Sequence, residues 1–273
     1  MRIAIIADIH GNLLALEAVL ADLERQRIDR LIVAGDMVIG SPDSAACWER
    51  IKALHVPVVR GNHERYLVEY CTDGDASLNS RQFAPVAYAA AQFNPLEKAA
   101  IAELPQSYRP SEAPDVLVVH ASLRSDRDII VRSTGPDELA AQFPAPANLI
   151  IRAHQHIPAE RRWVGRRIVT AGSVGLSLGG DTRPHYLIAE QRRSGWRISQ
   201  RSVGYDHVAA LARFVQTGYL DVAGPIARLY QEELRIAQPL IIPFLRDYER
   251  WKQSEPLAID RACERWLAKY LCD

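Results

Sequence analysis

Val56-Pro57-Val58-Val59-Arg60-Gly61-Asn62-His63-Glu64 runs a short apolar segment straight into a polar tetrapeptide. A strand that empties into a glycine, an amide and an imidazole presents functional groups rather than core. Gly61 allows a tight turn, Asn62 offers a neutral oxygen to a metal, and His63 places a proton donor one residue on. Alone, the tetrapeptide reads equally well as a plain strand-to-helix turn. The other strands decide between these readings, because several of them end in the same manner.

Towards the N-terminus, Arg2 to Ala7 reads as a buried strand that stops at Asp8-Ile9-His10-Gly11-Asn12. Residues two apart in extended chain face the same way, so Asp8 and His10 can grip one ion together. A helix should follow, with Leu13, Leu16, Leu20 and Leu23 on one face and Asn12 as its cap. A second strand, Arg30 to Ala34, ends in Gly35-Asp36. Ser41 as N-cap and Pro42 at the first helical position predict the next helix, burying Ala45, Ile51 and Leu54. This alternation predicts a mainly parallel sheet covered by helices, with ligands gathering at the carboxyl ends of its strands.

Towards the C-terminus, Cys71 to Ser80 reads as a polar surface loop, with a lid as the alternative. Helical patterns cover Arg81 to Ala91 and Pro95 to Leu104. Asp115 to Val119 is a strand ending in His120-Ala121-Ser122, and Leu149 to Ala153 is one ending in His154-Gln155-His156. Arg161 to Val164 and Arg167 to Thr170 read as a hairpin around Gly165-Arg166. The small-residue turn Ala171-Gly172-Ser173-Val174-Gly175 precedes strands at His185 to Ala189 and Trp196 to Ser202. Beyond Asp206 the spacing is helical. Pro225 and Pro256 stand at helix starts, Phe244, Tyr248 and Trp251 share one face, and Ile259, Cys263, Trp266, Leu267 and Tyr270 share another. These segments read as an appendage packed on the sheet domain, with a partner-binding or dimer-forming surface as the alternative.

The 273 residues are 48% hydrophobic and 24% charged with zero net charge, which gives no general signal for nucleic acid or membrane. From His120 to Arg201, 13 arginines face 7 acidic residues. Arginine outnumbers lysine 29 to 4 over the whole chain, so that surplus reads as a general bias rather than a phosphate site. Cys47, Cys71, Cys263 and Cys272 are too scattered for a zinc ribbon or a disulfide framework. No apolar run suits a signal segment or a membrane span, so a cytoplasmic location is expected.

Collected in order, the strand ends supply Asp8, His10, Asp36, Asn62, His63, His120, His154 and His156, which include five of the eight histidines. His55, His185 and His207 lie elsewhere and read as structural. The series D-x-H, G-D, G-N-H-E, a lone His after a strand, and H-x-H resembles the calcineurin-like metallophosphoesterase superfamily over roughly residues 1 to 203, and its compact form is similar to the small bacterial phosphodiesterases. The resemblance implies a two-layer β-sandwich flanked by helices over 1–203, with 204–273 as a helical C-terminal extension. It implies two divalent transition-metal ions (Mn, Fe, Zn, Co or Ni, with Mn favoured for activity). Asp8, His10 and His156 would hold the first ion, Asn62, His120 and His154 the second, Asp36 would bridge them, and His63 would be the acid beside the leaving group. Ala153 stands where the family usually has Gly, which requires that position to keep a negative φ.

Two ions about 3.5–4 Å apart need a carboxylate that touches both. Asp8 and Asp36 are the only anionic ligands in this set, so the site keeps a net positive charge that attracts phosphate. The expected activity is hydrolysis of a phosphodiester by in-line attack of a metal-bridging hydroxide. The alternatives are a phosphomonoesterase, such as a protein phosphatase or nucleotidase, and a non-catalytic protein-binding scaffold on the same fold. A small phosphorylated substrate is the expected partner, and the C-terminal helices could also carry self-association. Ser122, Arg124 and Arg183 could contact a leaving group but read first as surface positions.

Overall fold

Both faces of β1 (Arg2–Ile6) are buried, which is why the run is continuously apolar. Ile3 and Ile5 point into a core between two sheets, while Ala4 and Ile6 point out under helices. The structure, a computed structural model, describes residues 1–72, 80–255 and 257–271. The first sheet joins β1 to β2 (Arg30–Val33), β8 (His185–Arg192) and β9 (Gly195–Ser202) in the order β2-β1-β8-β9. The second joins β3 (Ser107–Tyr108), β4 (Val116–Val119), β5 (Leu149–Arg152), β6 (Ala159–Trp163) and β7 (Arg166–Thr170) in the order β3-β4-β5-β7-β6. Ile3, Ile5 and Ile32 of the first sheet meet Val118, Ile151 and Val169 of the second, so the fold is the expected sandwich.

Helices α1 (Leu13–Leu23), α2 (Ser44–Lys52), α3 (Asn62–Thr72), α4 (Ala84–Ala90) and α5 (Pro95–Ala102) cover the outer face of the first sheet. Leu16, Val19 and Trp48 pack there against Ile6, Val33 and Ile188. α6 (Pro136–Gln142) covers the second sheet, where Leu139 meets Leu117, Val119 and Ile150. α7 (His207–Gln216), α8 (Tyr219–Val222), α9 (Gly224–Ile236), α10 (Ile241–Ser254) and α11 (Ile259–Leu271) form a further cluster around Phe214, Phe244 and Trp266. This cluster also takes in Leu176 and Leu178 from the segment that follows the small-residue turn. None of the described helices is long and apolar enough to cross a membrane.

Several expectations change. The sheets are mixed rather than mainly parallel: β1–β2, β4–β5 and β5–β7 are parallel, but β1–β8, β8–β9, β3–β4 and β6–β7 are antiparallel. The helix assigned to Ser41-Pro42 begins at Ser44 with Asp43 as N-cap, because the Ser41 amide is tied to the His10 carbonyl and the Pro42 carbonyl accepts from Gln92. The apolar run Val56 to Val59 shrinks to a parallel bridge between Val33 and Val58, since Pro57 has no amide to donate and Arg60 turns away to the Pro105 carbonyl. The hairpin turn falls one residue early, on Val164 and Gly165, both with positive φ. Asn12 caps α1 as expected by accepting from the Ala15 amide. Pro225 sits in the first turn of α9, whereas Pro256 and most of the Cys71 to Ser80 loop lie outside the described residues.

One polar cluster pins α1 to the sheet. The Asp22 carboxylate accepts from Tyr186 Oη at 2.5 Å, from Arg201 Nε and Nη2 at 3.2 and 3.1 Å, and from Arg25 Nη2 at 3.0 Å. Burial alone would raise its pKa, but the hydrogen bonds from Tyr186, Arg201 and Arg25 together hold it below the usual carboxylate value. A depressed native pKa adds stability above the unfolded pKa and loses it as pH falls through the native one. Asp22→Asn should therefore cost about 1–3 kcal/mol at neutral pH, with the gap to wild type closing in urea melts taken below about pH 4.

Candidate metal centre

The candidate residues stand on the turns that leave the strands, and most of these turns are strained. Asp8 (φ 52°), His10 (50°), Asp36 (53°), His154 (70°) and His156 (59°) all occupy the left-handed region, which costs a non-glycine residue about 1–2 kcal/mol. Ala153 stays outside that region, so the strain passes to the histidines on either side of Gln155. The first two turns are laced together by backbone bonds from Asp8 to Gly35, His10 to Asp36 and Gly11 to Met37.

Asp36 lies at the middle. Its Oδ1 accepts from the His63 amide at 2.8 Å. Its Oδ2 faces the Nε2 atoms of His120 at 3.3 Å, His10 at 3.8 Å and His63 at 3.9 Å. Glu64, in the first turn of α3, is fully buried and takes the amides of Asp36 and Gly61 on Oε2 and that of Met37 on Oε1, at 2.7–2.8 Å. Burial pushes its carboxyl up to about 7 even so. Gly61 is required by close approach rather than by a left-handed turn, because a Cβ there would stand 2.2 Å from Asp36 Oδ1.

Backbone carbonyls set the imidazole tautomers. His10 Nδ1 meets the Ile39 carbonyl at 2.8 Å, His120 Nδ1 meets Ala34 at 2.8 Å, and His156 Nδ1 meets Leu176 at 2.6 Å. A carbonyl only accepts, so each Nδ1 carries a proton and each Nε2 is turned to the site. His10 Nε2 and His156 Nε2 are then 3.0 Å apart. Burial holds His10 well below its ordinary pKa and His156 down to about 4, so near pH 7 both rings are neutral and two lone pairs face each other. Such a contact is repulsive without a cation to share, and these residues therefore fit a metal ion.

Ligand atoms of Asp8, His10 and His156 lie within 4.8 Å of one another, and so do those of Asp36, His120 and His154. Asn62 Oδ1 joins the second set, 3.1 Å from His120 Nε2. His154 is pushed down to about 3, by burial first. Burial also opposes charge on His120, but Asp36 outweighs it and raises the ring to about 9, so an incoming cation there displaces a proton. His63 forms a third group with His10 and Asp36, and its Nδ1 is buried with no hydrogen-bond partner. Burial lowers the pKa of His63, which makes any proton it holds easier to release.

All eight sequence-selected residues thus come together. Ser122 is not a surface residue: it is buried, donates to Asp128 and accepts from the amides of Arg124 and Ser125. Arg124 and Arg183 are exposed and paired with nearby carboxylates. Sequence reasoning missed the role of Glu64, although an acid in the first turn of a helix that begins on a ligand was a visible signal.

Two layered sheets focus imidazole and carboxylate groups from their strand ends on one buried cluster able to hold metal. The calcineurin-like phosphoesterase superfamily domain matches residues 1–194, and the chain belongs to that superfamily. A metallophosphoesterase from Sphaerobacter thermophilus is 26% identical, with a TM-score of 0.69 over 87% of this chain and 100% of its own. A hypothetical protein from Pyrococcus horikoshii shares the fold at 17% identity, with a TM-score of 0.70 over 84% of this chain and 97% of its own. An uncharacterised protein of Methanocaldococcus jannaschii is 42% identical over 62 residues, 23% of this chain and 26% of the relative, so the match spans about a quarter of that protein.

Gly61→Ala should displace the Asp36 carboxylate and lower the affinity for divalent metal at least about tenfold, as read by Mn(II) titration of the chelated protein. In wild type, Mn(II) should raise the thermal midpoint by several degrees. The variant should show a smaller rise at equal metal concentration.

Proposed function

We propose that the protein is a binuclear phosphodiesterase. The observation that carries this reading is the facing pair of neutral Nε2 atoms on His10 and His156, together with a second set placed across Asp36 Oδ2. Asp8, His10 and His156 hold one ion, Asn62, His120 and His154 hold the other, and Asp36 Oδ2 lies between the two sets. Divalent ions bound there supply Lewis acidity towards phosphate oxygens and make an attacking oxygen available at neutral pH.

The protein's own residues do the rest. The four carbonyl and carboxylate anchors at Ile39, Ala34, Leu176 and Glu64 fix the donor set before substrate arrives. His63 stands at the edge of the cluster with 15% of its side chain exposed, and it delivers a proton to the departing oxygen. Preference for a singly charged diester is supported by Arg65, two residues beyond His63, which is held by Asp126 and Glu69 and so is not free to clamp a second phosphate charge.

With Mn(II) present, bis(4-nitrophenyl) phosphate should be hydrolysed faster than 4-nitrophenyl phosphate. His63→Ala should keep both ions by elemental analysis and lose turnover by about 10² or more. A folded, metal-loaded protein that hydrolyses neither ester would exclude the proposal.

A further inference from the structure

Arg152, the last residue of β5, is fully buried on the outer face of the second sheet, on the side of the strand shared with Ile150. Among the described residues no carboxylate hydrogen-bonds to it, and Asp8 and Asp128 act on it only through their charge. Its Nε donates to the Ala121 carbonyl at 2.8 Å, one Nη donates to Gln155 Oε1, and the other donates to the Asp128 carbonyl. An arginine buried against neutral acceptors is costly, and apolar packing would fill the same space more cheaply. What the guanidinium adds is a rigid planar fork that reaches three chain segments at once.

Two of those segments carry candidate ligands. Ala121 follows His120 directly, and Gln155 separates His154 from His156. Gln155 passes the restraint on, accepting from the Ile130 amide at 2.8 Å and donating to the Ile130 carbonyl at 3.0 Å. Among the described residues, one direct backbone bond beyond the strand pairing joins the two ligand turns, from the Ala153 amide to the His120 carbonyl at 2.7 Å. Beyond the paired strands that bond ties the turns at one point, and the guanidinium ties them at a second.

We infer that Arg152 is the positioning residue of the second ion's site, fixing the turn that carries His120 against the turn that carries His154 through its bonds to Ala121 and Gln155. The inference rests on the two-ion reading above. Asp8 and His10 lie on turns that Arg152 does not touch, so the two ions should respond differently to its loss.

The test is Mn(II) titration of chelated protein, followed by electron paramagnetic resonance, in wild type, Arg152→Met, Arg152→Lys and Gln155→Leu. Wild type should bind two ions. Arg152→Met should weaken the second by about 10–100-fold and the first by clearly less. Arg152→Lys keeps the charge but lacks the fork, and it should fail to restore the second ion. Gln155→Leu removes one of the three Arg152 bonds together with the two bonds to Ile130, without emptying the buried site, and it serves if the Arg152 variants do not fold. Equal weakening of both ions would reduce Arg152 to general support of the fold and overturn the inference. Second-ion affinity at the wild-type level in any folded variant lacking the fork or Gln155 would overturn it as well. A wild type that binds no more than one ion would instead remove the two-ion reading and this inference with it.

Discussion

The structure depends on keeping the Asp36 carboxylate buried among imidazoles. A carboxylate at 1% exposure is expensive, and here burial is offset by His120 and His63, which hold its pKa well below the ordinary value. The adjoining Asp8 shows the opposite balance: burial dominates and its pKa is pushed well up. Two buried carboxylates with opposed titration behaviour next to four imidazoles of lowered pKa make a cluster that wants positive charge, and divalent cations satisfy both halves together.

Holding that cluster requires strain at the strand ends and reinforcement behind them. Left-handed φ values at Asp8, His10, Asp36, His154 and His156 aim successive side chains at one point, which regular extended chain cannot do. Backbone carbonyls orient three rings, Glu64 gathers three amides from two separate turns, and Arg152 links two more. The sandwich core supplies the rigid base, since its facing residues interdigitate between the sheets directly beneath these turns.

The C-terminal helices join this support. Leu176, whose carbonyl fixes the His156 tautomer, is itself buried in the helical cluster with Phe214 and Leu234. The Gly180 amide is bound by the Ala237 carbonyl at the end of α9. Glu233 caps α10 from a fully buried position by accepting the amides of Leu240 and Ile241, and burial raises its carboxyl to about 7. The helical segment therefore adjoins the histidine turn through one short stretch of chain rather than standing apart from the centre.

Much of this was legible in the residue order. Apolar runs that stop at Asp8, Asp36, His120 and His154 specify buried strands with functional ends, and the periodicity of Leu16, Leu20 and Leu23 specifies a covering helix, because both signals are local. Strand direction was not legible: the mixed sheets arise from long-range pairing of β1 with β8, which no local pattern encodes. Pro57 and the tethered Ser41 amide overrode reasonable local readings for the same reason, since the partners of their neighbours lie elsewhere in the chain. The sequence by itself determined which side chains could bind metal and which elements would carry them. Only tertiary structure decided that His10 and His156, 146 residues apart, bring their lone pairs to 3.0 Å, and that Glu64 and Arg152 hold the turns in place. Ligand identity is a property of single residues, whereas mutual distance and tautomer are set by contacts that exist only after the two sheets have packed.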